Sequence, residues 1–185
     1  MNDLTLYNLH RSSMLMGDGL GFLSDDIIPT MIRIWSKGLN HFSLVQEFPA
    51  FCGPEQRRWT AEAVAGGVGP RYLSRVLEHY PGKVWWYPLK KEFHPFRQEI
   101  GMAATELFGI GYDFKGIVKN VLSRVSLNLS RLWCSEYVQA VYEMAKVIEK
   151  QLYGLWPSEI PELGIYEKPI LIVESEPMVW QPVTA

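Results

Sequence analysis

Three residue types in this chain carry the means for nucleophilic chemistry. Cys134 stands at the head of "CSEYVQAVYEMAKVIEK", just after Leu132 and Trp133. An amphipathic helix begins there. A helix start leaves backbone N–H groups unpaired and carries partial positive charge. Both favour a thiolate, which is the nucleophilic form of cysteine. The same N–H groups can hold a developing oxyanion. A thiol needs a base, and His41 opens the alternating stretch "HFSLVQ" at what reads as a strand end. An imidazole in turn needs an acceptor to orient it. Glu62 in "WTAEAV" is that candidate, on a strand expected to pair with the one that His41 starts. Each residue alone has a plainer reading. The cysteine packs the first turn, the histidine caps a strand end, and the glutamate faces solvent.

The segments that must position these residues follow from periodicity. Asp25 or Asp26, Pro29 and the spacing of Ile28, Met31, Ile32 and Trp35 predict a helix that Gly38 ends. In "HFSLVQ", Phe42, Leu44 and Gln46 face one way and His41, Ser43 and Val45 the other. "PAFCGPEQ" is a turn-rich link to a second strand, "RRWTAEAV", with Trp59 and Ala61 on one face and Thr60 and Glu62 on the other. "GGVGPRYLSRVLEHYPG" reads as a turn and a short helix with Tyr72, Leu73, Val76 and Leu77 inward. "KVWWYPL" is a third strand. "HPFRQEIGMAATELFG" is a helix opened by proline and closed by Gly109, and "IGYDFKGIVKNVLSRV" is a loop and a further helical piece. The cysteine helix is expected from about Cys134 to about Leu152, with Val138, Val141, Met144, Ala145, Ile148 and Leu152 on one stripe. "KPILIVESE" is a last strand or extended segment. Strands and helices thus fall into runs, which predicts an α+β fold.

Composition narrows the classes. The 185 residues fit one domain, and 48% hydrophobic with 13% aromatic residues supply a core. The net charge of -2, with no basic block, argues against a nucleic-acid partner. No apolar run is long enough to span a membrane. The N-terminus has no basic start followed by an apolar stretch, so no secretory signal is expected and the default compartment is cytoplasmic. The two cysteines, Cys52 and Cys134, make no disulfide framework; either they pair once across a long loop or at least one is a free thiol. His10, His41, His79 and His94 form no HxxxH or similar cluster, so no metal site or cofactor is expected.

With these residues in place, the chain resembles the circularly permuted, YiiX-like branch of the NlpC/P60 superfamily of papain-like cysteine hydrolases. "MGDGLGFLS" resembles its opening Gly-Asp strand, "GLNHFSLVQE" its histidine strand and "WTAEAVAGGV" its Glu-Ala segment. "GIGYDF" resembles its Tyr-Asp loop, "LWCSEYVQAVYE" its Cys-Ser-Glu helix and "WPSEIPEL" the proline turn that follows. The likeness runs from about Gly17 to about Val173, within one domain of 185 residues. It leaves 1–16 as an N-terminal extension and 174–185 as a C-terminal tail. The order is histidine first and cysteine last, the reverse of papain-type chains, as permutation of one core would give.

The resemblance implies a papain-like fold, an antiparallel sheet packed on helices, and a Cys134–His41–Glu62 triad. It implies hydrolysis of an amide bond, with a small peptide or acyl-amide as substrate. A lipid or thioester acyl hydrolase or acyltransferase, or a non-catalytic binding or structural module, are the other readings. Tyr112, in the Tyr-Asp loop, is a candidate to line the substrate site, or else a packing residue beside Asp113. The pattern departs from the family at the glycines of "MGDGLGF", at the hairpin that holds Cys52, and in the long "KNVLSRVSLNLSRLW".

Overall fold

The structure is a computed structural model and describes residues 1–24, 38–51, 53, 56–64, 66–109, 134–151 and 154–175. The helix expected before Gly38, Cys52, Tyr112 with its loop, Leu152 and most of the expected C-terminal tail lie outside the described residues.

One antiparallel sheet organises the rest. Its strands are β1 (Gly19–Ser24), β2 (His41–Gln46), β3 (Trp59–Val64), β4 (Gly67–Tyr72), β5 (Gly82–Tyr87) and β6 (Ile170–Glu174). The six lie in the order β4-β3-β2-β1-β5-β6. Helix α1 (Thr5–His10) precedes the sheet, α2 (Leu73–His79) follows β4, α3 (Arg97–Glu106) follows β5, and α4 (Cys134–Met144) precedes β6. The architecture is α+β, as expected.

Alternating side chains sort the strands into two apolar cores, one per face. Phe42, Leu44, Ala61 and Ala63 join Ile100, Ala103 and Ala104 of α3 and Tyr137, Val138, Val141 and Tyr142 of α4. Leu20, Phe22, Val45, Val84 and Trp86 form the other core with Tyr7, Met14 and the α2 residues Leu73, Val76 and Leu77. Residues 1–16, set aside as an extension, thus place Tyr7 and Met14 in the second core.

The glycines of β1 have a packing reason. A Cβ at Gly19 would lie 2.6 Å from the Phe42 ring, and one at Gly21 would lie 2.6 Å from Leu39 Cδ1 and 2.7 Å from Tyr87 Cε2. The large side chains of neighbouring strands cross β1 where it has none of its own. Just before it, Asp18 is 1% exposed. Its carboxylate accepts from Leu15 N at 2.9 Å, Leu89 N at 3.0 Å, Trp86 Nε1 at 2.9 Å and Arg97 Nη1 at 2.8 Å. That cluster joins the starts of β1 and α3 to the end of β5.

Two expectations need correction. "GVGPRY" is not a turn. It is β4, paired with β3 from Trp59↔Tyr72 to Val64↔Gly67. Proline is tolerated there because β4 is an edge strand. Tyr72 consequently belongs to that strand and is 38% exposed rather than inward. The cysteine helix is also shorter, ending at Met144 rather than near Leu152. The chain turns at Lys146, whose φ is 58°. The returning chain then covers the polar side of α4. Gln139 Oε1 accepts from Leu155 N at 2.9 Å, and Glu143 Oε1 from Gln151 N at 3.0 Å. Smaller shifts occur elsewhere: Pro95 lies in a 3-10 turn over Lys91–Phe96, and α3 starts after it at Arg97.

Candidate active site

The sheet and α4 bring Cys134, His41 and Glu62 together. Between β2 and β3 the pairing runs from Gln46↔Trp59 to Leu44↔Ala61. His41 and Glu62 lie beyond its last pair, on the same face by alternation. His41 Nε2 and Glu62 Oε2 are 2.7 Å apart. The ring is held from below by Phe22, its register partner on β1, with centroids 5.1 Å apart. Neighbouring Ser43 and Thr60 hydroxyls join at 2.6 Å and close the lane behind the pair.

Helix α4 delivers the sulfur from the other side. Its orientation is locked by the Tyr137 hydroxyl donating to Ala104 O at 3.1 Å and the Tyr142 hydroxyl donating to Gly17 O at 2.9 Å. Cys134 is its first residue and is 3% exposed. The thiol is hydrogen-bonded to the His41 ring. Nε2 is committed to Glu62, which leaves Nδ1 for the sulfur. Backbone N–H groups of Phe42 and Ser135 also reach the sulfur.

The charges follow from these partners. Burial alone would push the Cys134 thiol up, but the His41 charge, the hydrogen bond to the ring and the two backbone N–H groups outweigh it and bring it below its ordinary value. Burial works against a charged His41 ring. Cys134 first, then Glu62, overcome that and push it up to about 10. Burial would raise Glu62, yet His41 and then Arg71 hold its carboxyl below the usual range. The three shifts act together: each favours the charged form of its group, thiolate, imidazolium and carboxylate in a row.

Two partners were not visible in the sequence. Arg71 Nη1 lies 3.0 Å from Glu62 Oε1. It is found only from the β3–β4 register, where Gly69 faces Glu62 and Arg71 is the diagonal neighbour. The Phe42 N–H is backbone and has no sequence signature. Of the other histidines, His94 Nε2 sits 3.0 Å from Leu89 O, His79 is exposed, and His10 packs 5.9 Å from the Trp86 ring. Tyr112 lies outside the described residues. Among the described residues, no group of three or more His, Cys, Asp or Glu side chains is arranged to hold a metal, and no helix is long and apolar enough to cross a membrane.

Comparison with known proteins bears on the fold. No family model matches the chain, and no curated protein matches it. Among solved structures it is similar to the metalloprotein yiiX of Escherichia coli O157:H7, with a TM-score of 0.55 at 18% identity. The match covers 87% of this chain and 89% of that one. The fold is therefore YiiX-like. The word metalloprotein describes that protein.

Proposed function

We propose that the protein is a cysteine hydrolase that cleaves an amide bond of a small peptide or acyl-amide. In this reading its core is papain-like and belongs with the circularly permuted NlpC/P60 enzymes. The observation that carries it is the row of Cys134, His41 and Glu62, in which the half-buried ring bonds the buried Cys134 sulfur on one side and the buried Glu62 carboxylate, at 2.7 Å, on the other. Lowering the thiol and raising the imidazole both favour the charged pair, in which the nucleophile and its acid stand ready together.

The Cys134 thiolate attacks the carbonyl carbon and forms a C–S bond. The Cys134 backbone N–H, at the head of α4, donates to the oxyanion. His41 gives its proton to the departing nitrogen as the C–N bond breaks, leaving a thioester. Water then attacks the thioester. His41 takes the water proton, the C–S bond breaks, and the thiolate–imidazolium pair returns with the acid released. Glu62 keeps the ring oriented throughout.

Alkylation tests the reading. With limiting iodoacetamide at neutral pH, peptide mass spectrometry should find Cys134 modified well before Cys52. Cys134→Ala should abolish the fast phase, and Cys52→Ala should leave it intact. Equal labelling of both cysteines in the folded protein would overturn the proposal.

A further inference from the structure

Glu62 is 2% exposed, and each of its carboxylate oxygens has its own cation. Oε2 is 2.7 Å from His41 and Oε1 is 3.0 Å from Arg71. We propose that Arg71 is a positioning residue of the site, holding Glu62 in place and paired while the His41 proton is away. This rests on the hydrolase reading above and extends it to a residue outside the triad.

The argument begins with the length of the side chain. A glutamate has one more rotatable bond than an aspartate, so a single hydrogen bond fixes its carboxylate loosely. A second hydrogen bond to the other oxygen fixes the plane. Strand β4 supplies it across an open lane. Gly69 is the register partner of Glu62 and contributes no side chain, and a Cβ built there would meet nothing within 4 Å. Arg71, two residues on along the same face, reaches across that space. Its side chain is 52% exposed, so the guanidinium caps the buried carboxylate from the solvent side.

The second step concerns charge through the reaction. In its ion-pair form the row reads thiolate, imidazolium, carboxylate, guanidinium. When His41 passes its proton to the leaving nitrogen, the ring turns neutral and Glu62 loses one of its two cations. A buried carboxylate with no cation is strongly disfavoured. Without Arg71, Glu62 would hold the imidazolium proton back, or take up a proton itself. With Arg71, the carboxylate stays paired in both states of the ring. Among the described residues, the charged and titratable groups at Glu62 are His41 of β2 and Arg71 of β4, with Cys134 of α4 beyond the ring.

The test compares Arg71→Met, Arg71→Lys and wild type, each confirmed folded by circular dichroism. The pH dependence of Cys134 alkylation by iodoacetamide is followed, together with the ¹³C titration of the Glu62 carboxyl. In R71M the Glu62 titration and the acid limb of alkylation should both move up by about one pH unit. R71K, which keeps the charge, should restore most of that shift. In the wild type, the Arg71 ¹⁵Nη resonance should follow the Glu62 titration with the same midpoint, a readout that needs no variant. An R71M profile that superimposes on wild type, an R71K profile no better than R71M, or an Arg71 resonance flat through the Glu62 titration would each overturn the proposal. The two readings fail separately. An unreactive Cys134 in the wild type removes the hydrolase reading, whereas the Glu62 and Arg71 resonances decide the positioning role by themselves.

Discussion

His41 Nε2 and Glu62 Oε2 meet at 2.7 Å although their strands have already stopped pairing at Leu44↔Ala61. The side chains continue an association that the backbones have ended. The gap so formed admits the head of α4, where the Phe42 N–H turns to the Cys134 sulfur instead of to β3.

Glu62→Gln isolates the charge of that contact. Glutamine keeps the shape and one hydrogen bond but cannot balance an imidazolium. The thiol pKa should then rise, and alkylation of Cys134 at neutral pH should slow once that pKa passes the working pH, by up to about tenfold for each further unit. Second-order rate constants with iodoacetamide, with the fold checked by circular dichroism, measure it.

The pH profile has two sides with different origins. Turnover should rise as the Cys134 thiol ionises, at a pH below its ordinary 9.0, and fall as His41 loses its proton at about 10. Alkylation, which needs only the thiolate, should rise on the acid side and stay high. Stability follows the same groups. The raised His41 contributes fully below 6.5, its ordinary value, and that contribution is lost as pH climbs through about 10. The depressed Glu62 contributes above 4.5 and is lost as pH falls through its lower folded value. Tm recorded against pH should therefore drop at both ends, and E62Q should remove much of the acid-side drop.

Asp18→Asn should be costly without touching the proposed chemistry. The carboxylate accepts four N–H donors, one of them from Arg97. An amide brings a donor into a site that offers donors and leaves Arg97 without its counter-ion. The expected loss is about 3–5 kcal/mol, read from urea unfolding.

Two glycines give a matched pair. Gly21→Ala forces a Cβ to within 2.6 Å of Leu39 and 2.7 Å of Tyr87, inside the sheet, and should lose about 1–3 kcal/mol. Gly69→Ala meets nothing within 4 Å and should stay within about 0.5 kcal/mol of wild type. Thermal unfolding of both variants compares them directly.

What was legible in the sequence was what period 2 and period 3.6 encode. The faces of "HFSLVQ" and "WTAEAV" came out as expected, because each strand is buried on both sides of a two-core sheet. The three chemical residues were nameable, because a cysteine at a helix mouth and a histidine at a strand end have local reasons. β4 was misread because Gly66, Gly67, Gly69 and Pro70 signal a turn, and only cross-strand pairing at the sheet edge overrides that signal. Arg71 was hidden for the same reason, since its partner is set by register. The early end of α4 was hidden too, because the apolar stripe continues past Met144 while the backbone turns at Lys146.

The parts of the row come from distant stretches of chain. His41, Glu62 and Arg71 belong to one run of three adjacent strands, and the sulfur joins them from α4. Detached from that run, Cys134 has neither a ring nor the Phe42 N–H beside it, and it is an ordinary thiol. The lowered thiol is thus a property of the docked helix, conferred at assembly and withdrawn on unfolding. A partly unfolded copy keeps only a few per cent of thiolate at neutral pH, so on the hydrolase reading the fast phase of Cys134 alkylation also counts the molecules in which α4 is in place.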